Sequence, residues 1–151
     1  MEQNLEIKVY RLNKNLPLPR YMSSGASGID LYADVEEDID IMPGSYRAVP
    51  AGIAVSIPSG YEAQIRPRSG LALEHGITLL NSPGTIDSDY RGEIKVLLIN
   101  HGARPFRVKG GMRIAQMVIA RVDRARIVEV EGQKELEVTR RNTGGFGHTG
   151  V

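Results

Sequence analysis

Glycine and proline, 17 and 8 of 151 residues, recur at intervals along the chain instead of gathering in one linker. The clusters Met42-Pro43-Gly44, Pro58-Ser59-Gly60, Ser82-Pro83-Gly84, Arg91-Gly92 and Lys109-Gly110-Gly111 separate short stretches rich in Val and Ile, the pattern of strands joined by tight turns. Leu5-Glu6-Ile7-Lys8-Val9-Tyr10 alternates apolar with polar, which places Leu5, Ile7 and Val9 on one face of a half-buried strand. Tyr61 to Ile65 repeats that alternation. Val96-Leu97-Leu98-Ile99 is continuously apolar and reads as a strand buried on both faces, and Ile127-Val128-Glu129-Val130 closes the series. One helix of about two turns is expected, with Ser69 as N-cap and Gly76 as its stop. Ile114 to Val122 fits a helical stripe as well as an irregular strand, and its all-β surroundings favour the strand. Many short strands and one small helix imply an all-β sandwich, jelly roll or barrel.

At this length one core is expected. The 19 Lys and Arg offset 18 Asp and Glu, a formal charge of +1, which argues against a nucleic-acid polymer as partner. The 41% hydrophobic content suits a folded domain. No apolar run approaches the ~20 residues of a membrane helix, and Met1-Glu2-Gln3-Asn4 does not open a signal peptide. No membrane partner and a cytoplasmic location are therefore expected. The absence of cysteine excludes disulfides, thiol nucleophiles and Cys-ligated metal, and His75, His101 and His148 lack the spacing of a metal site. Apolar periodicity fades from about Glu131 into Gly144-Gly145-Phe146-Gly147-His148-Thr149-Gly150. The expected organisation is a β domain over 1–130 and a glycine-rich arm over 131–151. Composition alone makes such an arm a frayed tail, yet Phe146 sits among glycines with no local core to join, and an aromatic there calls for a stacking partner.

Four internal segments could carry chemistry. In Gly28-Ile29-Asp30-Leu31, Asp30 points away from the core; taken alone it is a solvated carboxylate. Pro67-Arg68-Ser69-Gly70 sets a guanidinium and a hydroxyl at the helix mouth, where unpaired amides favour an anion; taken alone, Ser69 is a cap. The turn-rich connection from Asn81 to Gly92 carries Asp87, Asp89 and Tyr90; paired carboxylates in a loop are more often solvated than catalytic. Gly111-Met112-Arg113-Ile114-Ala115-Gln116-Met117 follows.

Read in order with Ala26 to Leu31 at the front and Arg141 to Gly150 at the end, these segments make the chain resemble the trimeric deoxyuridine triphosphatase (dUTPase) family over nearly its whole length. The resemblance implies a jelly-roll-type β-sandwich forming a homotrimer whose active sites are shared between chains. It also implies hydrolysis of dUTP to dUMP and pyrophosphate, with Mg²⁺ carried in by the triphosphate. On it, Asp87 matches the general base that activates water, a role worth roughly 10²–10⁴ in rate, and Asp30 the carboxylate that holds Mg²⁺ through bound waters, not as a direct ligand. Arg68, Ser69, Gly70 and Gln116 match phosphate-binding groups, and Arg141 the arm's clamp on the terminal phosphate. Base choice is placed in a hairpin from Asn81 to Lys95, with Asn81, Gly84, Thr85, Ile86 and the Lys95 backbone around the uracil. Tyr90 matches the aromatic under the deoxyribose. Phe146 matches the aromatic that covers the base, with Gly147 and His148 beside it in the arm's phosphate-binding motif. Two positions depart from the family pattern: Asn142 stands for a glycine and His148 for a serine. Asn tolerates a left-handed backbone, and an imidazole could donate to phosphate with a pH dependence serine lacks.

Two rival functions are weighed. The related dCTP deaminases carry a catalytic Glu where this chain has Leu97, which leaves proton transfer to a cytosine ring without an agent. A non-catalytic sandwich module would have lost Asp87, Tyr90 or Arg141, and all three are present.

Overall fold

The computed structural model describes residues 5–147, and within them the chain folds as a jelly-roll-type β-sandwich with one short helix. Strands β1 (Lys8–Arg11) and β5 (Ile53–Ser56) pair, as do β3 (Ile39–Ile41) and β10 (Phe106–Val108). A three-stranded sheet runs β4 (Tyr46–Pro50), β9 (Lys95–Asn100), β7 (Ile77–Leu79). The fourth sheet is ordered β2 (Ile29–Tyr32), β11 (Arg113–Arg121), β6 (Tyr61–Arg66), β8 (Gly84–Ile86), and every pairing in the fold is antiparallel. One apolar core joins their inner faces, including Leu31, Ile65, Val96, Leu98, Ile114 and Met117. No helix among the described residues is long and apolar enough to cross a membrane.

The register of the β2-β11-β6-β8 sheet positions the chemistry. Directly paired residues share a face and alternate faces along each strand. One row reads Asp30, Gln116, Arg66, the next outward row Val118, Gln64, Thr85, and the third Ala120 and Glu62. Ile86 pairs with Ala63, so Asp87 follows opposite Glu62. The intervening rows hold Ile29, Met117, Ile65 and Gly84, then Ile119, Ala63 and Ile86, and face the core. The outward residues of these three rows are polar or small aliphatic because the opposite face alone is covered.

The ambiguous segment is the long strand β11, since its period-two face Ala115, Met117, Ile119 packs inward. Several expectations are corrected. Helix α1 (Ser69–His75) has Arg68, not Ser69, at its N-cap and no side-chain cap hydrogen bond. Gly76 does end it, at φ 69°, where a Cβ would lie 2.6 Å from the amide nitrogen of Gly102. Asn81 to Lys95 is the long connection of a hairpin: the flanking strands β7 and β9 pair antiparallel, the Leu80 amide donates to the Leu97 carbonyl at 2.9 Å, and midway along the connection β8 leaves to pair with β6 in another sheet. β9 is not buried on both faces, because Val96 and Leu98 face the core while Leu97 and Ile99 are half-buried. Ile7 and Val9 pack inward but Leu5 is exposed. Residues 127–130 form no strand; no described strand pairs with them, and Ile127 is 89% exposed. All residues from Arg121 to Thr143 are exposed, with one 3₁₀ turn at Gln133–Leu136.

Two side-chain ties hold strands and turns together. Asp40 on β3 and Arg107 on β10 form a bidentate pair at 2.7 and 2.9 Å, and the guanidinium holds the Asp40 carboxyl below its ordinary range. Asn100, fully buried, donates to the carbonyls of Ile41 and Arg104, both at 2.8 Å, and accepts from the Gly102 amide at 2.8 Å. Asn100→Ala strands these buried groups and is expected to cost about 2–4 kcal/mol, read as a lower urea midpoint; an unchanged midpoint contradicts this role.

Candidate active site

At one end of the sheet, the Asp30 carboxylate is held by two guanidiniums. Arg68 Nε lies 3.3 Å from Oδ1, and Arg113 Nη1 donates to Oδ2 at 3.1 Å. Arg68 Nη1 also donates to the Arg113 carbonyl at 3.2 Å, so Arg113 anchors one partner by its side chain and the other by its backbone. A bulge between Arg113 and Ala115 shifts the β11–β2 register at this point. Gln116 donates from Nε2 to the Pro67 carbonyl at 2.9 Å. Its Oε1 lies against Gly28, where any Cβ would collide with it. Beside this cluster the uncapped first turn of α1 leaves the amides of Ser69 and Gly70 without intrahelical partners. Ser69 and Gly70 are exposed, and nothing lies within 4 Å of a Cβ built on Gly70. Cationic side chains and free amides converge on one open surface, which can bind a polyanion.

Asp87 ends the other half of the sheet. It is exposed, and its carbonyl accepts from the Tyr90 amide at 3.1 Å, closing a turn. Arg91 Nη1 donates to the carbonyls of Ser88 at 2.7 Å and Tyr90 at 2.9 Å, fixing that turn. Tyr90 Oη donates to the Glu93 carbonyl at 2.9 Å, and its ring occupies the place a Gly92 side chain would take. A cavity of about 310 Å³ opens here, lined by Tyr61, Glu62, Asp87, Ser88, Asp89 and Arg124 among others. Asn81 lies against Gly84, its Nδ2 3.2 Å from where a Cβ would be. Thr85 is exposed and Ile86 half-buried.

The two halves are far apart in one chain. Glu62 lies four residues along β6 from Arg66, and β2 and β8 are the opposite edges of the four-stranded sheet. At ~3.3 Å per residue and ~4.8 Å per strand, Asp30 and Asp87 stand about 20 Å apart. Lys95 begins β9, paired with Pro50, at the end of the β7–β9 ladder from which the Asn81 segment emerges. In the arm, Arg141 Nε donates to its own neighbour's carbonyl, Gly144 O, at 2.8 Å, and Phe146 is fully exposed. Asn142 adopts φ 46° and Gly147 φ 81°. Asn142 thus holds the left-handed backbone that the sequence suggested it tolerates. His148 lies outside the described residues.

Arg113 was present in the fourth segment but its role was illegible there, because only the bulge brings it onto Asp30. Gly28 had a readable signal, a glycine two residues before a surface carboxylate, though not the identity of the side chain it accommodates.

The dUTPase family model matches residues 14–150. The deoxyuridine 5'-triphosphate nucleotidohydrolase of Caldanaerobacter subterraneus subsp. tengcongensis is 59% identical over 147 residues, 97% of each chain. Among solved structures, a variant dUTPase of Staphylococcus bacteriophage 80alpha with dUpNHpp superposes with a TM-score of 0.84 at 24% identity, covering 97% of this chain and 99% of that one. A variant dUTPase from phage phi11 of S. aureus, which coordinates a structural Mg(II) ion, superposes with a TM-score of 0.75 at 20% identity, over 85% and 99%. With the jelly-roll sandwich, the Asp30–Arg68–Arg113 cluster and the Asp87 turn all in place across the matched span, the chain belongs to the dUTPase family.

Proposed function

We propose that the chain hydrolyses dUTP to dUMP and pyrophosphate at sites shared between copies. The observation that carries the sharing is the distance of about 20 Å between the polyanion cluster and Asp87. A triphosphate is too short to touch both in one chain, so the Asp87 turn of one copy must meet the Asp30 end of another. A closed ring of three such contacts is the homotrimer the family resemblance implies.

Arg68, Gln116 and the amides of Ser69 and Gly70 bind the phosphates. Asp87 of the adjoining copy takes a proton from a water that attacks the α-phosphorus; the bond from that phosphorus to the bridging oxygen breaks, and pyrophosphate leaves. Mg²⁺ arrives as part of the substrate. The donor set fits that reading: both Asp30 oxygens already face guanidiniums, and no group of three or more acidic, His or Cys side chains among the described residues could hold a resident ion. Asp30 is therefore suited to a hydrated ion held through water.

The segment from Asn81 to Ile86, with the Lys95 backbone, presents main-chain groups to uracil. Cytosine would leave buried partners unpaired there, a mismatch that can be worth 10⁴ or more. Tyr90 packs under the deoxyribose. The arm of 131–151 closes over the neighbouring site, where Arg141 and His148 meet phosphate and Phe146 stacks on the base, a contact worth about 1–3 kcal/mol. Such an enzyme keeps uracil out of DNA, supplies dUMP, and works in the cytoplasm.

With Mg²⁺ present, dUTP alone among dUTP, dCTP, dTTP and UTP is expected to turn over efficiently, giving dUMP and pyrophosphate by chromatography; deamination of dCTP, or comparable rates with dTTP, contradicts the assignment. Asp87→Asn is expected to lower kcat at least about 100-fold while nucleotide affinity stays within a few-fold. A normal kcat in that variant would move the base elsewhere.

A further inference from the structure

Between the two half-sites, the outward face of β6 carries a continuous polar ladder. Arg66 donates to Gln64 Oε1 from Nε at 3.2 Å and Nη2 at 2.6 Å, and Gln64 Nε2 donates to Glu62 Oε1 at 2.7 Å. These bonds engage one of the two Glu62 carboxylate oxygens and leave Arg66 Nη1 outside the ladder. β6 is an interior strand, and the ladder is flanked by the half-buried Val118 and Ala120 of β11. The ladder has polarity. Its positive end, Arg66, pairs across the sheet with Gln116 in the phosphate-binding row, and its negative end, Glu62, stands opposite Asp87.

We propose that this ladder is the contact that sets which way two copies of the chain meet. The inference rests on the shared-site reading above. When the Asp87 end of one copy is brought to the Asp30 end of the next, the two outward faces abut, and Glu62 of the first copy arrives beside Arg66 of the second. Opposite charges then meet at each junction, whereas an inverted approach sets Glu62 against Glu62 or Arg66 against Arg66. Charge pairs of this kind contribute more to register than to raw affinity, because like-charge alternatives are strongly disfavoured. Gln64, already satisfied within its own chain, leaves the middle of the ladder neutral and able to lie against the aliphatic side chains beside it.

The test separates a ladder that works between copies from one that only stiffens its own strand. Glu62→Lys and Arg66→Glu, made singly, each put like charges at every junction. Each is expected to raise the protein concentration for half-assembly at least about tenfold, measured by sedimentation at low salt. Mixed together, the two variants form rings of three in which one junction sets the introduced lysine against the introduced glutamate, one joins unaltered Glu62 to unaltered Arg66, and only one keeps like charges, against three in either variant alone. The mixture should therefore reassemble, and recover dUTP hydrolysis, at concentrations where neither variant does alone. Two results overturn the proposal: single variants that assemble as the unaltered chain does, or dissociated variants that gain nothing on mixing, whether because the ladder acts within the chain or because they do not fold. The reading beneath it fails separately, if the unaltered chain hydrolyses dUTP as a monomer.

Discussion

The pairing of β6 with β11 is the interaction on which the rest depends. Six consecutive residue pairs, from Gln116 with Arg66 to Arg121 with Tyr61, fix the two interior strands of one sheet. Because side chains alternate, that register places Met117, Ile65 and Ala63 in the core and Gln116, Gln64 and Glu62 on the outside. A slip of one residue would exchange the two sets. β2 then adds Asp30 at one edge and β8 leads into Asp87 at the other. The core and the chemistry are thus two faces of one ladder of backbone hydrogen bonds.

On the proposed function, the site is divided across the sheet. Polyanion binding requires cationic groups held together at some electrostatic cost, and Asp30 lowers that cost by sitting between Arg68 and Arg113. Asp87 stands two outward rows along and at the far edge, and in the proposed assembly a second copy supplies the missing half.

Much of this was legible in the sequence because it depends on local patterns. The turn residues marked most strands, Gly76 marked the end of α1, and the all-β surroundings favoured a strand over Ile114 to Val122, where β11 lies. Asp30, Arg68 and Gln116 were grouped by family resemblance and lie together in the fold. What failed depends on long-range pairing. Asn81 to Lys95 read as a hairpin because two apolar stretches flank a turn-rich loop, and those stretches, β7 and β9, do pair; the detour of β8 midway to join β6, whose inner face continues the core, left no local mark. Residues 127–130 carry a strand's composition without a strand to pair with. Composition cannot reveal a missing partner, nor could it reveal the bulge that delivers Arg113 to Asp30.

The central claim, that the two ends of this sheet act on one substrate only when they come from different copies, is tested most directly by mixing two inactive variants. Asp87→Asn removes the base and keeps the phosphate half; Arg68→Ala does the reverse. After joint unfolding and refolding, with exchange verified by a tag on one variant, every mixed trimer contains one junction with both halves intact. Random one-to-one mixing should then restore roughly a quarter of the unaltered rate of dUTP hydrolysis. Verified exchange with no rate above that of the two parents would contradict the account, because it would mean that each chain works with its own Asp87.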